Sequence, residues 1–355
     1  MSLRYYIQGI GAVSPQATWD SGVFLDEPLH YEENILKSVT PDFKQYINPV
    51  ALRRMSRIIR IGMSAARICM TDAGLAMPDG ILTGTGYGCA DDTIKFLQEM
   101  LANNEQHLTP THFTQSTYNA LSGAIALSLR CTNYNTTYVH RAFSFESGVL
   151  DAMMQIADAP QKRMLIGGFD ETDPHHYNIT RRVGYYKEET VRNFDLYTSG
   201  TRGTIQGEGA SFITLGAEPT SNAYATLDGV QTLFGVRDAA QLRAAVERFL
   251  AARGISAAEI DVVVSGRSGC VVNDKLLLEV QDDLLPHATK AYYKHLTGEY
   301  SASAAFGAWV AARILREQRI PAAMLPTGAP AAIRRVLYLN QYMGGEYAMM
   351  LFTAV

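Results

Sequence analysis

The chain has 355 residues, 47% hydrophobic and 19% charged, which is enough to bury a large core in one big domain or two fused halves. Its formal net charge of −4, with no run of Lys or Arg longer than a pair, argues against nucleic acid or an anionic membrane as a partner. The first residues lack a signal-peptide pattern, and no window reaches the roughly 18 apolar residues of a membrane helix, so we expect a cytoplasmic protein.

In the first part of the chain, short apolar segments alternate with amphipathic stretches. The segments 6–13, 80–88 and 164–169 are apolar and end in glycines or acidic residues, which is typical of central strands that break into loops. Between them, residues 56–76 and 147–157 carry apolar side chains at i, i+3, i+4 and i+7, which predicts helices packed on a sheet. The architecture predicted is α/β.

The second part repeats this alternation. Strands are predicted at 210–215, 260–266, 335–340 and 347–355, and helices at 238–253 and 302–318. No low-complexity tract or Pro/Gly/Ser linker separates independent domains. The pattern breaks near residues 216–225, so we expect two packed halves, residues 1–216 and 217–355.

Cysteine and histidine spacing gives no support for a metal site or a cofactor. Cys69, Cys89, Cys131 and Cys270 are not at CxxC spacing, and scattered cysteines are mostly small buried hydrophobes. His175-His176 follows acidic residues, but on an extended segment adjacent side chains point to opposite faces. We therefore predict no metal and no cofactor.

The most informative segment is 292–307. It contains Lys294, Thr297, Gly298 and Glu299, followed by small residues. This resembles the Lys-x-x-x-Gly-His motif of the β-ketoacyl synthases, the condensing enzymes of fatty-acid and polyketide assembly. Glu299 occupies the position of the histidine.

Other segments resemble the same family in the same order along the chain. They are Arg54-Met-Ser-Arg, Asp72-Ala-Gly-Leu, Gly84-Thr-Gly-Tyr-Gly, Pro110 to Asn119, Gly167-Gly-Phe-Asp-Glu, Gly207-Glu-Gly-Ala, the loop Gly266 to Asp274, and Gly344-Gly345. The loop 266–274 is similar to the family's His-Gly-Thr-Gly-Thr-x-x-Asn-Asp. The resemblance implies the thiolase-like fold, with two similar α/β halves of stacked sheets and helices.

Family members condense acyl groups with a cysteine thiolate and two histidines. Their nucleophile segment reads Ala-Cys-Ser/Thr-Ser-Gly, and aligning its end with Ser147-Gly148 puts Phe145 at the cysteine position; Ser144 reaches it only with an inserted residue. The two histidine positions hold Gly266 and Glu299, while Lys294 is retained. Because a phenyl ring, a hydrogen atom and a carboxylate cannot replace a thiolate and two imidazoles, we expect no residue to act in standard condensation.

This pattern is similar to that of chain length factors, ketosynthase-like subunits that pair with an active ketosynthase in polyketide and aryl-polyene or flexirubin-type pathways. The resemblance implies an active ketosynthase subunit as partner in a heterodimer, or a second copy in a homodimer, and an acyl carrier protein. It also implies that this subunit limits the length of the chain grown in its partner. Phe113, Gln115, Tyr118 and Asn119 lie in the segment that resembles the part of the family crossing the dimer interface, and we expect bulky residues there to close the tunnel.

An alternative is an acyltransferase or condensing enzyme of the same fold with a different residue set. Ser144 would accept the acyl group, activated by Glu146 or His140, because a serine nucleophile needs a hydrogen-bonded base. For Lys294, we expect an ion pair with Glu299 rather than a catalytic role, since a buried pair neutralises two charges that are costly alone.

Overall fold

The structure, a computed structural model, describes residues 3–20 and 22–355. The strands are Tyr6–Val13 (β1), Ile35–Leu36 (β2), Gly80–Gly84 (β3), Tyr134–Tyr138 (β4), Arg163–Asp170 (β5), Gln206–Gly207 (β6), Gly209–Gly216 (β7), Ala225–Phe234 (β8), Val262–Gly266 (β9), Thr289–Tyr292 (β10), Arg335–Tyr342 (β11) and Glu346–Thr353 (β12). The helices are Pro49–Leu52 (α1), Arg57–Asp72 (α2), Ala90–Ala102 (α3), Pro110–Gln115 (α4), Ala120–Leu129 (α5), Ser144–Asp158 (α6), Pro174–Arg182 (α7), Ala239–Ala251 (α8), Lys275–Leu284 (α9), Lys294–Thr297 (α10) and Ala304–Glu317 (α11).

The main sheet shows the two similar halves directly. Its order is β10-β9-β11-β12-β8-β1-β7-β5-β3-β4, so five strands of the first half and five of the second are arranged in mirrored order. The pairing directions also match: β1–β7 and β7–β5 are antiparallel like β8–β12 and β12–β11, while β5–β3–β4 and β11–β9–β10 are parallel. The predicted α/β, thiolase-like fold is therefore confirmed.

The halves are joined by little strand pairing and much helix packing. β1 pairs with β8 through two residue pairs, Tyr6 with Thr226 and Ile7 with Ala225. Helix α11 is almost entirely buried and contacts β1, β5 and β7 of the first half as well as β9, β11 and β12 of the second. One core cluster accordingly contains residues of both halves, and smaller clusters lie on either side. The division proposed at residues 216 and 217 falls where β7 ends.

Sequence periodicity located the buried elements well. The predicted strands at 6–13, 164–169 and 210–215 correspond to β1, β5 and β7, and the predicted helices at 238–253 and 302–318 correspond to α8 and α11. One expectation was wrong: His175 and His176 lie on helix α7, not on an extended segment. Pro174 occupies its first turn, and the Asp173 carboxylate accepts a hydrogen bond from the His176 amide (2.7 Å), so both are helix-start signals.

Within residues 3–20 and 22–355, none of the helices is both long and apolar enough to cross a lipid bilayer.

Candidate functional site

A buried aspartate at the end of β5 ties the two halves together at the site. Asp170 Oδ1 accepts hydrogen bonds from Thr85 Oγ1 (2.7 Å), the Gly86 amide (2.8 Å) and the Tyr87 amide (3.1 Å), and Oδ2 accepts one from the Ala302 amide (2.9 Å). The loop after β3 is thus fixed to the loop after α10. Burial raises the pKa of Asp170, and these donors lower it.

Lys294 and Glu299 form the ion pair that the sequence suggested. Lys294 Nζ lies 2.5 Å from Glu299 Oε2 and also donates to the Gln341 carbonyl oxygen (2.7 Å), while Ser303 Oγ donates to Glu299 Oε1 (3.1 Å). Both side chains are buried, and burial raises the pKa of Glu299, an effect that the Lys294 ammonium opposes. The pair therefore holds both charges in the protein interior instead of offering them to a substrate.

Gly266 has no room for a side chain. It pairs with Asn340 of the neighbouring strand β11, and a Cβ at residue 266 would lie 2.0 Å from Asn340 Oδ1 and 2.7 Å from Asn340 Cα. The loop 266–274 is stabilised by Asp274, which accepts hydrogen bonds from the Ser268 and Gly269 amides and from Gln341 Nε2. The loop is therefore well supported, and residue 266 has no space for a side chain.

Phe145 is a core residue. It lies in the first turn of α6, is fully buried, and belongs to the large core cluster together with Leu82, Ile166 and Tyr293. A phenyl ring there supplies packing and no nucleophile.

The geometry does not support the alternative that uses Ser144. Its hydroxyl donates toward the carbonyl oxygens of Thr85 (2.9 Å) and Arg141 (2.7 Å) and accepts a hydrogen bond from the His140 amide (2.8 Å). The His140 ring instead contacts Ser147, with 3.2 Å between Nδ1 and Oγ. Glu146 does not activate Ser144 either, because neither of its carboxyl oxygens has a hydrogen-bond partner within the described part of the chain. The hydroxyl is therefore buried, bonded to backbone groups and without a base.

Glu146 itself is a buried acid, adjacent in the chain to Phe145. Burial raises its pKa to about 8, and the Lys294 charge acts in the opposite direction. At neutral pH the carboxyl group is consequently mostly protonated, so it is not available as a general base.

The structure separates the four residues expected to close the tunnel. Phe113 is 57% exposed and packs against Phe96, with 5.3 Å between ring centroids. Gln115 accepts a hydrogen bond from the Ser56 amide and donates to the Arg54 carbonyl oxygen, so it supports the start of α2. Tyr118 and Asn119 line an open groove beside β4, and Tyr118 also lines a cavity.

That cavity, of about 240 Å³, is a feature that sequence reasoning missed. Its wall includes five tyrosines, Tyr87, Tyr118, Tyr186, Tyr300 and Tyr342, together with Asp170, Glu171 and Gln206. Burial raises the pKa of Glu171 to about 8. The high tyrosine content was a signal, but it was interpreted as core and interface packing, because these tyrosines come from separate segments of the chain.

The cysteines and histidines do not assemble a metal centre. Among the residues whose placement is described, no group of three or more His, Cys, Asp and Glu side chains could hold a metal ion. Cys69, Cys89 and Cys270 are buried, Cys131 is half-buried, and burial raises the pKa of the Cys69 and Cys89 thiols.

Part of this chain resembles a known protein family in sequence. Residues 32–188 match the sequence model of the family described as β-ketoacyl synthase, N-terminal domain. A search of curated proteins by sequence found no match. Residues 32–188 are thus similar in sequence to a β-ketoacyl synthase N-terminal domain.

Solved structures share the fold over the whole chain. The ishigamide ketosynthase/chain length factor is 19% identical, with all of both chains covered and a TM-score of 0.81. A type II PKS acyl-carrier protein in complex with its ketosynthase bound to the hexaketide (AntDE:AntF) is 16% identical, with full coverage of both chains and a TM-score of 0.77. The ketosynthase ApeO in complex with its chain length factor ApeC from Xenorhabdus doucetiae is 16% identical, with 99% of this chain and 98% of that chain covered and a TM-score of 0.73.

Proposed function

We propose that this chain is a non-catalytic partner subunit of an active β-ketoacyl-ACP synthase, acts in the cytoplasm, and limits the length of the chain that the pair assembles. The observation that carries the proposal is the closed catalytic site: Phe145 is packed in the core, residue 266 has no space for a side chain, and Glu299 is paired with Lys294. The same fold with an accessible catalytic site would support an enzyme. A blocked catalytic site supports a function exerted through a partner subunit.

The surface for that partner is the free edge of the main sheet. β4 is the last strand of the sheet and reads Tyr-Asn-Thr-Thr-Tyr, with no charge and no proline to discourage strand pairing. Exposed apolar side chains surround it on α5, α6 and the strand's own ends: Leu127, Tyr134, Val139, Leu150 and Met154. An uncharged edge within an apolar surface is what an obligate dimer buries, and such interfaces commonly exceed roughly 2,000 Å².

We expect the length of the product chain to be limited next to the edge strand β4. Tyr118 is half-exposed, borders the groove beside β4 and forms part of the wall of the 240 Å³ cavity, so its ring can close a tunnel that arrives from the partner. Phe113 is exposed on helix α4, where it packs against Phe96, and we propose that it adds bulk beside the tunnel. We assign Gln115 a supporting position and Asn119 the lip of the groove.

The growing chain is proposed to arrive on an acyl carrier protein, in a polyketide, aryl-polyene or fatty-acid-type assembly. Structures that share the fold include a carrier protein with its ketosynthase and two ketosynthase/chain length factor pairs. These similarities guide the choice of partner for the experiment.

The first experiment tests the absence of catalysis. The purified chain is incubated with acyl- or malonyl-loaded carrier protein, and intact mass is measured. We expect no acyl adduct, because Phe145 has no nucleophilic atom. A stoichiometric adduct that disappears in Ser144→Ala would overturn the partner-only function.

The second experiment tests the pair. Co-expression with a ketosynthase that has an intact Cys-His-His set should yield a stable heterodimer that makes product, whereas each subunit alone makes none. Phe113→Ala and Tyr118→Ala should lengthen the products, since truncation opens space without touching the partner's catalytic residues. Phe234→Ala, a truncation of an exposed aromatic residue in the other half, is the matched control. Unchanged product lengths in both variants, with dimerisation intact, would exclude this segment as the gate.

A further inference from the structure

A cavity of about 230 Å³ lies beside β1 and shares no lining residue with the tyrosine-lined cavity. Strand β8 pairs with β1 only at Tyr6 and Ile7. Within the described part of the chain, the edge of β1 at Ile10 and Gly11 therefore has no strand beside it on that side, and both residues border the cavity. Helix α2, the loop after β1 and helix α11 contribute most of the remaining wall. The cavity is thus a gap at the junction of the two halves.

The wall of this cavity is largely aromatic. Trp309 is buried, while Trp19, Tyr46 and Tyr224 are half-buried, so three of the four rings retain a partly open surface. Aromatic side chains favour offset-stacked or edge-to-face contacts with a further ring. A cavity of about 150 Å³ already holds benzene, so this one is large enough for a bicyclic ring.

Asp72 supplies a hydrogen-bond acceptor in the same wall. Its Oδ2 accepts a hydrogen bond from the Ile10 amide (2.9 Å), and its Oδ1 accepts one from the Tyr224 hydroxyl (3.0 Å). Because both donors line the cavity together with Asp72, the carboxylate lies between them at the cavity surface. A carboxylate has about four acceptor positions, so Asp72 has the capacity for a further hydrogen bond from a ligand.

The charges around Asp72 favour a neutral donor over a free cation. Burial raises the pKa of Asp72, whereas the charges of Arg313 and Arg316 lower it. Arg313 also lines the cavity, and its Nε donates to Glu317 Oε1 (2.7 Å). A carboxylate that already interacts with two guanidinium groups attracts a further cation weakly, but it can still accept a hydrogen bond from a neutral N–H group.

We propose that this cavity binds a neutral bicyclic aromatic molecule of the indole class, with its ring against Trp19 and Tyr46 and its N–H donating to Asp72. An indole N–H donates and does not accept, so it complements a carboxylate. The ligand would also cover the half-buried rings of the wall. The site is separate from Phe145 and Gly266, and it does not rest on the proposed function.

The test is calorimetric titration of the purified chain with indole and with 1-methylindole, which has the same ring system without the N–H. We expect indole to bind at least fivefold more tightly, because only indole can donate to Asp72. Trp19→Ala should weaken indole binding at least tenfold. Phe234→Ala, which removes an exposed ring in the other half, should leave it unchanged. Circular dichroism checks that both variants are folded.

A spectroscopic measurement locates the probe without a substitution in the wall. The chain has two tryptophans, Trp19 and Trp309, and both line this cavity. In protein labelled with 5-fluorotryptophan, indole should therefore shift both ¹⁹F resonances. Unmoved resonances, equal affinity for the two probes, or unchanged affinity in Trp19→Ala would overturn the site. None of these measurements involves a ketosynthase, so their outcome is independent of whether the chain acts as a partner subunit.

Discussion

Lys294 and Glu299 form a buried charge pair whose contribution to stability can be measured. Lys294→Met leaves the Glu299 carboxylate buried and uncompensated, and breaking such a pair typically costs about 3–5 kcal/mol. Lys294→Met combined with Glu299→Gln removes both charges, so the double variant should unfold at higher urea concentration than Lys294→Met. Glu299→Gln alone completes the double-mutant cycle. Additive losses of unfolding free energy at pH 7 would show that the two side chains are not coupled.

Glu146 gives the folded state a pH dependence of predictable sign. Its pKa is about 8 in the folded protein, against 4.5 for an unperturbed side chain, so unfolding releases a proton between these values. Stability should therefore fall as pH rises from about 4.5 to 8, and Glu146→Gln should relieve this loss by about 4 kcal/mol at pH 8. Urea unfolding at pH 5 and pH 8 measures this change in stability, and Glu188→Gln, at an exposed residue, is the control. A gain of equal size at both pH values would contradict the assignment.

Phe145→Cys should not restore condensation. Residues that act as a unit lose most of the rate when any one is missing, and both imidazoles are absent here. The assay is product formation from malonyl- and acyl-carrier protein by the purified variant. Turnover above that of the unsubstituted chain would show that other groups stabilise the oxyanion.

At the scale of elements, β4 is the strand on which pairing with another subunit depends. Thr136→Lys places an ammonium group in the middle of this edge strand, where a buried interface cannot solvate it, and lysine on an edge discourages pairing. We expect at least a tenfold loss of co-purifying ketosynthase, with an unchanged circular dichroism spectrum. Thr190→Lys, on an exposed loop, is the matched control. If the Thr136→Lys variant co-purifies as much ketosynthase as the unsubstituted chain, the interface does not include β4.

The same elements show what the sequence could predict. Buried strands and amphipathic helices such as β5, β9 and α8 were found because burial imposes a periodic apolar pattern. β4 was missed because a strand at the edge of the sheet with exposed and half-buried residues has no such pattern. Helix α7 was misjudged although Asp173-Pro174 is a helix-start signal. At the site, the family resemblance singled out Phe145, Gly266 and Glu299, but the space around these residues depends on tertiary packing that no sequence pattern reports.

At the scale of the whole molecule, α11 makes the two halves one cooperative unit. Phe306 on this helix is fully buried and stacks on Trp309 and against Tyr293. Phe306→Ala should cost about 3–5 kcal/mol, and hydrogen exchange should speed up in β5 and β11 together, because both pack on α11. The exposed Val50→Ala is the control. Faster exchange confined to the second half would mean that the halves unfold independently.

The contact between Gly266 and Asn340 also determines which evolutionary changes are open to this protein. A histidine at residue 266 would meet not just the Asn340 side chain but its Cα, so trimming Asn340 to glycine would not make enough room. The strands β9 and β11 would have to separate, and β11 also supplies the carbonyl oxygen of Gln341 that holds Lys294. A chain with histidine at residue 266 would thus have to be reached through unstable intermediates. Under the proposed function, this contact keeps the site closed, and selection acts on what the chain does for its partner subunit.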